Sequence, residues 1–112
     1  MKIVSIKNIP GDSVSHNPEI KKKILIAKGE IPQLMTFSKA ILKPGQSSQS
    51  HAHDTMYEVF FIISGKAIFN INNNETEVSE GDCITIEPNE KHFQTNPFDL
   101  DVKFLYFGIA TN

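Results

Sequence analysis

From Lys23 onward, short apolar runs rich in Ile, Val, Phe and Thr alternate with clusters of Gly, Pro, Asn and Asp. Runs of β-branched and aromatic residues set off by turn formers read as strands. The pattern predicts strands over 23–27, 34–42, 56–64, 66–71, 76–78, 83–86, 91–95 and 102–110, with turns at Pro44-Gly45, Gly65, Asn72–Asn74 and Gly81-Asp82. Residues 1–7 alternate apolar and polar positions and read, with the rest of 1–42, as N-terminal strands. One segment hints at a helix: Asn17-Pro18-Glu19 offers an N-cap, a first-turn proline and a first-turn acid. The lysines that follow, Lys21-Lys22-Lys23, read as a solvated edge or turn. Many short strands at nearly regular spacing predict an all-β sandwich or barrel, one domain over 1–112.

Two of these strands are apolar on both faces. In 57–63, Glu58, Phe60 and Ile62 oppose Val59, Phe61 and Ile63; in 102–110, Val102, Phe104 and Tyr106 oppose Leu105, Phe107 and Ile109. A strand with one wet face alternates with polar residues instead. The outer face is therefore expected to be covered, either by a second subunit in a homodimer or by the N-terminal strands of the same chain.

Charge and composition narrow the function. The 112 residues carry 13 acids and 11 basic residues, a net charge of −2, and every basic residue is lysine. Arginine is the usual reader of guanine edges and the usual bidentate clamp on phosphate. A near-neutral chain without it is not expected to bind nucleic acid. Cys83 is the single cysteine, which excludes an intramolecular disulfide and a multi-cysteine zinc site; it reads as a small buried hydrophobe. The N-terminus lacks the unbroken apolar run of a secretory signal, and no stretch approaches the roughly 20 residues of a membrane span. A soluble, cytoplasmic protein is expected.

Three of the four histidines stand in a suggestive spacing. His51 and His53 are two apart in a stretch that should be extended, where side chains at i and i+2 share a face roughly 7 Å apart. Two imidazoles so placed can converge on one metal ion at about 2.1 Å. Glu58 follows on the face that carries Phe60 and Ile62, where an ionised carboxylate is costly unless paired or bound to a cation. His92 arrives after a second hairpin-like unit.

The spacings taken together resemble the cupin superfamily, and its small single-domain conserved-barrel (type 2) proteins in particular. The first motif of that family is Gly, five residues, His-x-His, three or four residues, Glu, six residues, Gly. Gly45, His51-Ala52-His53, Glu58 and Gly65 fill every fixed position. The second motif is Gly, five residues, Pro, one residue, Gly, two residues, His, three residues, Asn. Gly81, His92 and Asn96 fit it, but Glu87 stands where the proline is expected, with Pro88 next, and Asn89 replaces the turn glycine. Asparagine is the non-glycine residue that best accepts a left-handed backbone. His16 falls outside the pattern and reads as a surface histidine.

The resemblance implies a β-jelly-roll barrel, or double-stranded β-helix, with a motif core over 45–96 and a C-terminal strand over 102–110. It implies that His51, His53, Glu58 and His92 bind one divalent transition metal ion, a nitrogen and oxygen set suited to Fe, Mn, Ni, Cu or Zn. The alternative is a metal-free barrel in which Glu58 hydrogen-bonds a histidine. Candidates for a substrate pocket are Phe37, Met56, Phe60, Phe69, Gln94, Phe104 and Tyr106. An apolar wall without arginine leans towards an uncharged or aromatic chelating substrate. Cupins with this ligand set include dioxygenases, isomerases and decarboxylases, so a metal-dependent enzyme on a small chelating compound is expected. A non-catalytic small-ligand-binding or accessory module is the alternative, since fold alone does not choose the chemistry.

Overall fold

The computed structural model describes residues 1–10, 12–14 and 17–112, the side chains of 12–14 and 17–19 excepted. After a 3₁₀ turn at Ile6–Asn8, the strands are β1 (Asp12–Val14), β2 (Asn17–Ile26), β3 (Leu34–Leu42), β4 (Met56–Ser64), β5 (Lys66–Ile71), β6 (Asn74–Ser79), β7 (Cys83–Ile86), β8 (His92–Thr95) and β9 (Val102–Ala110). All pairings between them are antiparallel. They form a six-stranded sheet in the order β1-β2-β3-β9-β4-β7 and a three-stranded sheet in the order β6-β5-β8. Non-consecutive neighbours such as β3, β9 and β4 are the mark of a jelly roll, as the resemblance implied.

The core fills the space between the two sheets. Ala40, Leu42, Phe60, Ile62, Val102 and Phe104 face inward from the larger sheet, and Ala67, Phe69 and Val78 from the smaller one. Phe60 meets Phe69 edge-on across the gap, with ring centroids 5.1 Å apart. Alternation along β4 and β9 sets this arrangement: Phe60 pairs with Tyr106 and Ile62 with Phe104, so a single face of both strands supplies the core.

The N-terminal third departs from the sequence reading. Residues 1–10 form no strand; Lys2 ion-pairs with Glu30, and Met1, Ile3 and Val4 stay exposed. The helix start at Asn17-Pro18-Glu19 is instead the first part of β2, where the register with β1 shifts between Lys21 and Asn17. Pairing with β3 overrides the local capping signal, because Ile20 is buried and Lys22 and Ile24 lie opposite Ala40 and Ser38. The lysine run is thus part of a paired strand.

The outer face of the larger sheet is apolar and open along β4 and β9, and carries Lys21, Lys23 and Lys39 along β2 and β3. Tyr57 pairs with Ile109, Val59 with Phe107 and Phe61 with Leu105, and Tyr57, Phe61 and Ile109 are exposed. The N-terminal residues cover only one margin, where Lys2, Ile3 and Val4 line a cleft with Leu25, Ile26 and Phe37. Cys83 is exposed rather than buried, because the register of β7 sets it opposite Phe61. No helix among the described residues is long and apolar enough to cross a membrane.

Candidate metal centre

Four side chains meet at one end of the space between the sheets. His51, His53, Glu58 and His92 bring one potential ligand atom each to within 4.8 Å of one another. Glu58 lies on β4 and His92 opens β8; both are buried, while His51 and His53 are partly exposed. His16 lies outside the described residues.

Backbone pairing, rather than the side chains themselves, sets these positions. The segment after Gly45 runs beside β8: Gly45 donates to the Asn96 carbonyl, Ser48 to that of Gln94, and His51 and His92 exchange hydrogen bonds at 3.1 and 2.9 Å. His51 is therefore held directly opposite His92. Asn89 adopts a φ of 71° and donates its N–H to the His53 carbonyl at 2.7 Å, so the residue replacing the turn glycine also anchors the second histidine. Asn96 is buried with its amide satisfied by the Leu42 and Leu100 carbonyls and its oxygen by the Phe98 N–H. It fastens the end of β3 to the start of the loop before β9.

The electrostatics follow from this packing. Nδ1–H of His51 donates to the Gln49 carbonyl at 2.8 Å, and Nδ1–H of His92 to the Glu90 carbonyl at 2.9 Å. Such bonds fix the ring orientation and turn Nε2 to the site. Oε1 of Glu58 lies 2.9 Å from Nε2 of His92, 3.2 Å from that of His53 and 3.9 Å from that of His51. Burial works to raise the Glu58 carboxyl, but the His92 hydrogen bond and the three rings outweigh it and hold it below the usual value. Burial works against a charged His92, yet its bonds to Glu58 and to the Glu90 carbonyl raise it overall. At His53 burial prevails over Glu58 and lowers the ring.

A carboxylate facing three imidazole nitrogens is a mixed nitrogen and oxygen donor set, chemically suited to a divalent transition metal. The four-residue group is able to bind such an ion.

The centre sits between two spaces. On the inner side is a cavity of about 60 Å³ lined by His51, Glu58, Phe60, Gln94, Phe104 and Tyr106, among others. On the outer side, a wider mouth is bordered by His51, His53, Met35, Met56 and Lys22. Four of the pocket candidates, Phe60, Gln94, Phe104 and Tyr106, thus line the inner cavity, and Met56 lines the mouth. Phe69 is packed into the core against Phe60, and Phe37 faces the opposite side of the sheet, edge-on to Phe107 at 6.1 Å. Burial pushes the Tyr106 hydroxyl up to about 12, so it remains a proton donor at neutral pH.

Two participants escaped the sequence reading. Lys22 reaches the mouth because strand alternation sets it on the face of Ile20; the buried Ile20 two residues earlier was the available signal. Ser48 orients Gln94: its hydroxyl donates to Gln94 Oε1 at 2.7 Å and accepts from the Gln94 N–H at 3.0 Å. A serine in a loop carries no sequence mark of that role.

Comparison with known proteins agrees with the geometry. The sequence model of the cupin domain family matches residues 38–108. Over 69 residues the chain is 29% identical to the oxalate-binding protein of Thermotoga maritima, across 62% of this chain and 57% of that one. Over 70 residues it is 30% identical to an uncharacterised protein of Methanocaldococcus jannaschii, across 62% and 56% of the two chains. The chain thus spans little more than half the length of these curated relatives. Among solved structures, a predicted oxalate decarboxylase of Thermotoga maritima superposes with a TM-score of 0.89 at 23% identity, over 97% of this chain and 99% of that one. The polyketide cyclase RemF of Streptomyces resistomycificus superposes with a TM-score of 0.83 at 18% identity, over 100% and 80%. At such identities the likeness is one of fold.

Proposed function

The chain belongs to the cupin family, and we propose that it is a metal-dependent enzyme of oxidoreductase or isomerase type acting on a small, metal-chelating organic compound. His51, His53, Glu58 and His92 would hold one divalent ion. The observation that carries this reading is the convergence of their four ligand atoms within 4.8 Å at the entrance to a small cavity. A bound ion would supply Lewis acidity and open coordination positions for a chelating ligand. The chain's own residues do the rest: Phe60 and Phe104 give the inner cavity an apolar wall, and Tyr106 and Gln94 add neutral polar side chains to its lining. Lys22 and Asp54 set one charge of each sign at the mouth, so its lining does not by itself choose between an anionic chelator and the uncharged one that composition suggested. The name of the Thermotoga oxalate-binding relative points to the anionic class.

A second reading, a non-catalytic small-ligand-binding or accessory module, is favoured by one specific feature. Beyond the four clustered residues, the ionisable group lining the inner cavity is Tyr106, too weak an acid to exchange protons readily at neutral pH. The open apolar face of β4 and β9 supports a homodimer in either case.

Elemental analysis of tag-free protein purified without chelators tests the metal reading. Near-stoichiometric transition metal is expected, lost in His51→Ala and His92→Ala and retained in His16→Ala. Absence of metal after reconstitution with each of Fe, Mn, Ni, Cu and Zn would sink it. Turnover of short acids, catechols or diones by the loaded protein separates enzyme from binding module.

A further inference from the structure

Gln94 is 5% exposed, and no described residue accepts a hydrogen bond from its Nε2. The amide is held through its oxygen. Ser48 clamps it on one side, donating to Oε1 while accepting from the Gln94 N–H, and the Ser48 N–H donates in turn to the Gln94 carbonyl at 2.9 Å. With Oε1 engaged, the NH₂ is left as a buried donor on a residue that lines the inner cavity. A buried amide donor without an acceptor is destabilising, and such groups in native proteins are paired with an ordered water, an ion or a bound ligand.

Gln94 stands two positions after His92 on β8, with Phe93 between them, and both are buried on one face of the strand. Gln94 shares its cavity with His51 and Glu58, and the remaining walls are largely apolar, including Ile20, Leu42 and Phe104. A space of about 60 Å³ admits a few heavy atoms and little more. The part of a ligand that enters this cavity from the metal centre is therefore small, and an acceptor on it would meet the need of the Gln94 amide.

We propose that Gln94 selects the ligand of this centre: its Nε2–H₂ donates to an oxygen that a short carboxylic acid retains beyond the pair with which it chelates the ion. This rests on the metal reading given under the proposed function and names the class of compound that reading left open. Oxalate satisfies the requirement, because chelation through one oxygen of each carboxylate leaves two further oxygens as acceptors. Catechol does not, because beyond its chelating pair it presents only a hydrocarbon ring. Such a ring has no acceptor for the Gln94 amide, whichever space it occupies.

The test is calorimetric titration of the nickel-loaded full chain with oxalate and with catechol, metal content being measured before and after. Gln94→Leu removes the donor at similar size; Gln94→Glu keeps an acceptor for Ser48 while replacing the donor with an oxygen. Both variants are expected to keep their metal and their catechol affinity within twofold, and to bind oxalate at least tenfold more weakly. Unchanged oxalate affinity in the two variants overturns the proposal, as does an equal loss for both ligands, which would assign Gln94 to shaping the loop alone. A loaded wild type that binds no oxalate overturns the ligand class while leaving the metal centre standing. A wild type that takes up no metal overturns the centre and this proposal together. Should Gln94→Leu lose its metal through displacement of the Ser48 loop, Gln94→Glu carries the comparison.

Discussion

Oε1 of Glu58 lies 2.9 Å from Nε2 of His92, joining the two buried members of the four-residue cluster, one from each sheet. In the absence of a cation the carboxylate takes its positive partner from the protonated ring, the condition a buried charge requires. A divalent ion would take over that role. Glu58→Gln removes the charge at constant shape. Loss of an outer partner of a metal ligand costs roughly 10–100-fold in affinity, so loss of this ligand is expected to cost at least as much. Competition against a chromogenic chelator measures it. An affinity within twofold of wild type would show that Glu58 is not a ligand.

The opposed shifts of His92 and His53 predict a distinctive titration. In metal-free protein, the His92 ring should titrate above the ordinary histidine value of 6.5 and the His53 ring below it. The raised His92 value contributes stability that is complete below 6.5 and lost as pH rises through the folded value. The lowered Glu58 value contributes stability present above 4.5 and lost as pH falls through its folded value. The pair therefore stabilises most between 4.5 and 6.5, with His53 opposing it below 6.5. Metal binding needs unprotonated rings, so affinity should fall as pH drops through the His92 value. Proton NMR of the ring signals, with and without metal, reads both effects. A His53 curve above that of His92 would contradict the assignment.

Much of this was legible in the sequence because strand alternation leaves little freedom. Once Phe60 and Ile62 face the core, Glu58 must face it too, and β4 and β9 have the expected bounds for the same reason. The His-x-His spacing carried the site. The N-terminal third was less legible: the capping signal at Asn17-Pro18-Glu19 is local, whereas the strand there is decided by pairing with β1 and β3. Lys22 and Ser48 were hidden for a related reason. Their parts depend on which neighbour the fold sets beside them, and nothing in a lysine run or a serine-rich loop encodes that neighbour.

Gly65 is required by the backbone on two counts. Its φ is +85°, and a Cβ there would run into the main chain of Asp101 and Val102 at the start of β9. Neither backbone can give way without disturbing the pairing of β9 with β4. Gly65→Ala is expected to destabilise the protein by about 2–4 kcal/mol. For a domain of this size that lowers the melting temperature by roughly 10–20 °C. Gly45→Ala, whose Cβ would meet nothing within 4 Å, carries the left-handed strain alone and should cost less. Thermal melts of the two variants compare them directly, and equal losses would refute the steric part of the argument.

The open face of the larger sheet is the remaining structural debt of the fold. Phe61 is 43% exposed, with Tyr57 and Ile109 exposed nearby and Val59, Leu105 and Phe107 half-buried between them. Leaving this much contiguous apolar surface in water is unfavourable, and patches of the kind mark interaction sites. A second copy offers the same apolar face, and a two-fold axis would bring the two β4–β9 surfaces together, with Lys39 and Lys103 beside Leu105 at one end of the patch. Phe61→Lys sets a charge in the middle of that contact while leaving the core and the cluster of His51, His53, Glu58 and His92 untouched. Sedimentation equilibrium is expected to give a dimer for the wild type and a monomer for the variant, with equal metal content. A wild type that remains monomeric at and above micromolar concentration would show that the face is covered by something other than a second copy. A variant that remains dimeric would move the interface elsewhere on the molecule.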